Sequence, residues 1–260
     1  MIVPGLVSVT CKRSSAEEII TYAKALGLLA IEWSENWHIQ ADDLQRAGEI
    51  GRLTRASGLV VAGYGSYFRL GTGLDPTPSI KAAAQMQAPV IRIWGGDKPS
   101  NQVSDGAYRL LVAETKAVAD LAGEYQLQVA LEWHKNTITD TNETAATFLA
   151  DVGRSNLKTL WQPHQNLTVQ QRLEGLCNLK KAVQYLHVYH WDEQGRRPLE
   201  EGTDEWMQYL AAFQSSESKF ALLEFVKGDS LEQLKNDAHT LIAWIEKNNQ
   251  IGERNGQPIQ

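Results

Sequence analysis

Apolar runs of five to seven residues alternate with helix-length amphipathic segments along the whole chain. The runs are LVSVT (from Leu6), LLAIEW (from Leu28), LVVAGY (from Leu59), PVIRIW (from Pro89), LQVALEW (from Leu127), KTLWQ (from Lys158), YLHVYH (from Tyr185) and FALLEF (from Phe220). Each is short, and most are rich in residues that suit a buried pleated surface. Between them lie helical patterns with legible starts. Ser14-Ser15-Ala16-Glu17-Glu18 and Thr141-Asn142-Glu143-Thr144 each place a hydroxyl N-cap ahead of an acidic first turn. Asp229-Ser230 opens the last helix, with Leu231, Leu234, Ala238, Leu241, Ile242 and Ile245 at helical spacing.

Strands that are apolar throughout are covered on both faces, and strict alternation with helices implies a parallel sheet. Eight such pairs favour closure into an α/β fold of the (β/α)₈ barrel type, in one domain over residues 1–248. Nothing in the middle reads as a linker. Residues 249–260 are polar and carry Gly252, Gly256 and Pro258, so they are expected to form a fraying tail.

Composition narrows the function. The 260 residues suit a single barrel, and 43% are apolar, enough for a large core. A formal charge of −6 with no basic run argues against nucleic acid as a partner. No apolar stretch approaches the roughly 20 residues of a membrane span. The start, MIVPGLVSVT, lacks the form of a signal peptide. Cys11 and Cys177 are too few and too far apart for a disulfide framework, so the expected setting is reducing and cytoplasmic. The Asn142 and Asn166 glycosylation patterns then read as coincidences. A homo-oligomer is left open.

The reactive side chains fall at strand ends, where such a barrel builds its site. In order these are Glu32 with Trp33 and His38, Tyr64, Arg92 with Trp94, Glu132 with His134, Gln162 with His164, His187 with His190, and Glu224. A tryptophan alone at a strand end is ordinarily barrel packing. A histidine there is as often a local hydrogen-bonding residue as a functional one. Glu132 and Glu224 differ, because a carboxylate directly after an apolar strand needs a cation, a metal or a raised pKa. Gly63-Tyr64-Gly65 and Gly71-Thr72-Gly73 lack the spacing of a dinucleotide loop.

Glu-Trp ending the second strand, Glu-x-His ending the fifth (Glu132, His134), a histidine-bearing seventh and Glu ending the eighth resemble the xylose-isomerase-like TIM barrels. The stretch Arg197-Pro198-Leu199-Glu200-Glu201-Gly202-Thr203-Asp204-Glu205-Trp206 resembles that superfamily's "PLGEG…DW", with Glu200 where glycine is usual. The resemblance covers nearly the whole chain. It implies a divalent metal (Mn, Mg, Co or Zn) held by Glu132, Gln162, His187 and Glu224, although Gln162 stands where an Asp is usual and would ligate without charge. His187 is favoured as the seventh-strand ligand. A two-residue shift would put Tyr189 there, and His190 would then be a substrate contact at the strand tip.

What the resemblance implies is an isomerase or epimerase moving a proton next to the carbonyl of a small sugar, sugar phosphate or polyol, with Glu132 and Glu224 as the acid–base pair. Glu32, Trp33, His38, Tyr64, Arg92, Trp94, His134, His164, His190 and Arg197 are the candidate substrate contacts. Arg92 or Arg197 would meet a phosphate or carboxylate. A dehydratase-type lyase and a sugar-binding barrel without turnover are the competing readings. The endonuclease activity of the superfamily is disfavoured by the negative charge.

Overall fold

The computed structural model describes residues 1–215 and 217–254, with side chains through residue 250. Eight parallel strands close into a barrel in the order β1-β10-β7-β6-β5-β4-β3-β2. They are β1 (Ile2–Val7), β2 (Ala30–Ser34), β3 (Val60–Arg69), β4 (Val90–Trp94), β5 (Gln128–Leu131), β6 (Leu157–Trp161), β7 (Val183–Val188) and β10 (Lys219–Leu223). Helices α1 (Ala16–Ala25), α2 (Leu44–Ala56), α3 (Thr77–Met86), α4 (Asp105–Glu124), α5 (Asn142–Val152), α6 (Val169–Leu179), α7 (Thr203–Phe213) and α8 (Leu231–Arg254) follow the barrel strands in turn. The expected single (β/α)₈ barrel is therefore the fold.

The helix starts read from the sequence are the ones used. Ser15 caps α1, accepting from the Glu18 N–H while the Glu18 carboxylate accepts from the Ser15 N–H. Thr141 and Thr144 form the same reciprocal pair at α5, and Ser230 Oγ accepts from Gln233 N at α8.

Four details differ from expectation. The first strand begins at Ile2, and Ser8–Cys11 is a 3₁₀ turn. β3 runs on to Arg69 because Gly63, Gly65 and Ser66, which resemble turn residues, are accommodated inside the strand. An antiparallel hairpin, β8 (His190–Asp192) and β9 (Gly195–Arg197), follows β7, and sequence alternation did not reveal its three-residue strands. The tail boundary at 248 is also too early: α8 continues through Arg254, and 255–260 lie outside the described residues.

The core runs between barrel and helices, with Trp33, Trp133, Trp161 and Trp206 fully buried. Side-chain alternation decides what enters the barrel. Trp33 points out to α2, its indole N–H donating to Thr54 Oγ1 at 3.1 Å, while its neighbour Glu32 points in and is fully buried. No helix among the described residues is long and apolar enough to cross a membrane.

Candidate active site

Inside the barrel, near the C-terminal strand ends, five strands contribute one charged layer. Glu32 (β2) accepts from Arg92 Nε (β4) at 3.1 Å through one oxygen and bonds His187 Nε2 (β7) at 2.8 Å through the other. Arg92 Nη1 donates to Glu132 Oε2, just past β5, at 2.5 Å. The other Glu132 oxygen accepts from Gln162 Nε2 at 2.8 Å, and the same amide nitrogen donates to the Trp133 carbonyl at 2.6 Å. Glu224, just past β10, brings Oε2 to 3.3 Å from His187 Nδ1. That approach is a charge contact without hydrogen-bond alignment, and Nδ1 has no hydrogen-bond partner among the described residues.

Two glycines make this layer sterically possible. Gly65 is the register partner of Arg92 in the β3–β4 ladder. A Cβ on Gly65 would stand 2.4 Å from Glu32 Oε1 and 2.6 Å from Arg92 Nη2. A Cβ on Gly63, two residues back on the same face, would meet Tyr185 Oη at 3.6 Å and Glu32 Cγ at 3.8 Å. The Gly63-Tyr64-Gly65 pattern is thus a cleared floor beneath an ion pair.

The charges follow from this packing. Burial alone would raise the Glu32 carboxyl, but His187 and Arg92 outweigh it and hold it below its ordinary range. Burial would likewise discharge His187, yet Glu224 and Glu32 on its two nitrogens outweigh this and raise it well above a normal imidazole. Glu132 moves the other way. Burial raises its carboxyl, Arg92 and His187 oppose this, and Glu224 and Glu32 add to it.

Above this layer opens a cavity of about 240 Å³, whose lining includes Arg92, Glu132, Gln162, Glu224, His134 and His164. Trp94 forms part of the wall. The Arg69 guanidinium lies 4.0 Å over one face of its ring, and His134 packs edge-on at 5.2 Å. His164 is buried, and its Nε2 has no partner. Burial lowers its pKa, as it does that of His134, which falls to about 4 with help from His164, Lys135 and Arg69. Phe225 closes the wall beside Glu224 in a left-handed conformation, φ 57°. Its N–H donates to Thr10 Oγ1 at 3.2 Å, which fixes this uncommon geometry at the mouth.

Of the residues expected from sequence, Arg92, Trp94, Glu132, His134, Gln162, His164 and Glu224 line the cavity. Glu32 and His187 lie in the layer below. Five others are placed elsewhere. Trp33 faces α2, and Tyr64 Oη donates to the Ile39 carbonyl. His38 bonds Ser8 Oγ and the Cys11 carbonyl. His190 sits on the hairpin against Gly202. Arg197 pairs with Glu201 at 2.7 Å and Asp192 at 3.3 Å, so it is not placed to meet a substrate anion in this cavity. Alternation explains Trp33 and Tyr64, because each neighbours an inward residue and so points outward.

Tyr67, Lys135, Trp191 and Phe225 also line the cavity and were not among the expected site residues; Tyr189, weighed as an alternative ligand, lines it too. Tyr67 lay beyond the expected end of β3, and Trp191 is on the unforeseen hairpin. The usable signal was the glycine pair at i and i+2 inside an apolar run, which marks a face cleared for close approach.

Of the four residues expected to hold a metal, Glu132 and Gln162 bond each other at 2.8 Å, and Glu224 Oε2 approaches His187 Nδ1 at 3.3 Å. Gln162 presents its amide nitrogen, a donor, toward Glu132, and both Glu132 oxygens accept hydrogen bonds. His187 Nε2 is taken up by Glu32 at 2.8 Å, and Nδ1 faces Glu224 at 3.3 Å. Among the described residues no group of three or more His, Cys, Asp or Glu side chains is arranged to hold a metal ion. The donor set does not fit a divalent ion in this arrangement.

A family model described as xylose isomerase-like TIM barrel matches residues 20–247. No curated protein matches the chain. Among solved structures, the probable 3-DHS dehydratase AsbF from Bacillus anthracis superposes with a TM-score of 0.76 at 19% identity, covering 93% of this chain and 99% of that one. An L-ribulose 3-epimerase gives 0.75 at 13% identity over 100% of both chains. A xylose isomerase-like TIM barrel protein from Mycobacterium smegmatis in complex with magnesium gives 0.65 at 14% identity, over 95% and 97%. At these identities the likeness is one of fold.

Proposed function

The chain belongs to the xylose isomerase-like TIM barrel family, and we propose that it is an isomerase or epimerase that moves a proton beside the carbonyl of a small sugar, sugar phosphate or polyol. The observation that carries this reading is the placement of Glu132 and Glu224 in the wall of one small cavity above a fixed cationic layer. Burial raises the Glu132 carboxyl above its ordinary range, the direction an exchanging acid–base group requires. Glu224 stands with Oε2 3.3 Å from His187 Nδ1. One carboxylate takes the proton from carbon. The other carboxyl, protonated beforehand, gives its own proton to the opposite face of that carbon, or to the neighbouring carbon as the adjacent hydroxyl proton passes to the first oxygen. Trp94 and Trp191 in the wall suit the apolar C–H face of a sugar.

A dehydratase is the second reading, favoured by the buried, unpartnered Nε2 of His164 in the same cavity. An imidazole there can protonate a leaving hydroxyl. Two cysteines unpaired in the structure are in keeping with a reducing, cytoplasmic setting, and the net charge with a small-molecule partner rather than nucleic acid.

The test is solvent deuterium exchange, followed by NMR, on free ketoses, ketose phosphates and cyclic polyols bearing one ketone. Incorporation at the carbon next to the carbonyl, with or without net isomerisation, supports proton transfer. Loss of water gives the dehydratase. Saturable binding with neither leaves a sugar-binding barrel.

A further inference from the structure

The metal expected from the resemblance and the donor set in the barrel disagree, and the disagreement centres on Arg92. Its side chain is buried (5% exposed) yet lines the cavity. Nε is spent on Glu32 and Nη1 on Glu132, while Nη2 donates to no group among the described residues. The guanidinium is held flat by the Glu32–Glu132 clamp and by the absence of a side chain at Gly65. An arginine never discharges at accessible pH; burial alone would weaken its hold on the proton, but Glu132 and Glu32 outweigh burial and hold it still more firmly protonated. The neutral amide of Gln162, next to Glu132, completes the arrangement. Glu32 and Glu132 are already balanced by Arg92, and a further carboxylate at 162 would stand against Glu132 without a counter-charge.

We infer that Arg92 is the built-in cation of this site, holding the substrate's carbonyl and adjacent hydroxyl oxygens, and that the barrel binds and processes its substrate without a divalent metal. This rests on the proton-transfer reading above. When a glutamate removes the proton, the C–H electron pair forms a C=C bond and the carbonyl π pair moves onto oxygen. The resulting oxyanion lies against the Arg92 guanidinium, whose charge and N–H geometry suit two neighbouring oxygens. Reprotonation at the same carbon turns the C=C pair into a new C–H bond and re-forms the carbonyl. Reprotonation at the neighbouring carbon needs the adjacent hydroxyl proton to pass to the first oxygen. In either case no external oxidant or reductant is used.

Mn²⁺ titration by calorimetry on chelator-stripped wild-type protein, with elemental analysis of the protein as purified, tests the metal half without any knowledge of the substrate. No stoichiometric uptake is expected; one tightly bound equivalent overturns the inference. The paired change Arg92→Gln with Gln162→Asp should gain Mn²⁺ binding, and no gain would mean that Arg92 is not what excludes the ion. The substrate half is read as deuterium exchange in the presence of chelator. Wild-type exchange should persist, fall on the order of 10²-fold in Arg92→Gln, as for loss of one oxyanion donor, and recover in part in Arg92→Lys. Exchange abolished by chelator, or unchanged in Arg92→Gln, refutes it. Absence of exchange on every substrate would sink the isomerase reading instead, and the Mn²⁺ titration would still decide the role of Arg92.

Discussion

Gly65 and Arg92 are register partners on adjacent strands, and a single methyl on Gly65 would stand 2.6 Å from the arginine's Nη2. Absence of a side chain at one residue therefore sets the place of a charge on the other. The same methyl would lie 2.4 Å from Glu32 Oε1, so both halves of the ion pair depend on this gap.

Gly65→Ala is accordingly expected to push the pair apart and to cost about 1–3 kcal/mol, the usual range for overpacking a tight interior. Urea denaturation measures it. An alanine variant as stable as wild type would show that the pair can re-seat without loss.

Glu32→Gln should cost more. The amide keeps the shape but leaves Arg92 and His187 short of one buried negative charge, and breaking such a pair typically costs ~3–5 kcal/mol. Glu201→Gln, which breaks the exposed pair with Arg197, should cost at most about 1 kcal/mol. Equal midpoints for the two variants would mean that the interior layer contributes no more than a surface pair.

Glu132→Gln and Glu224→Gln remove one proton acceptor each while keeping side-chain volume. Each should slow deuterium exchange on the order of 10²-fold or more. If both carboxylates serve only to balance Arg92 and His187, stability would fall while exchange persisted. Unaltered exchange in either variant takes that glutamate out of the chemistry.

His134 makes a pH prediction. Burial first, then the positive charges nearby, lower its pKa to about 4 in the folded protein, against roughly 6.5 in an unfolded chain. A group whose folded value is depressed stabilises the fold above its unfolded pKa. That share is therefore intact above about 6.5 and is lost as pH falls toward 4. The His134 ring resonance should titrate near 4 in NMR, and a midpoint close to 6.5 would contradict the buried placement.

Local pattern was enough for the architecture. Eight apolar runs separated by capped helices leave few ways to bury both faces of every strand, and a closed parallel barrel is the one adopted. Strand-end position also picked out Glu132, Gln162 and Glu224, because alternation and strand direction together send such residues to one mouth. What local pattern does not contain is the pairing across the barrel. Glu32 and His187 are 155 positions apart and meet at 2.8 Å. Whether such groups ligate a metal or neutralise one another depends on which side chains the closed ring brings between them. Arg92 looked like an ordinary strand-end arginine, and Gly65 like part of a turn. Only closure, with the strand register it imposes, set one against the other and placed Glu132, an expected metal ligand, with Glu32 around the Arg92 guanidinium.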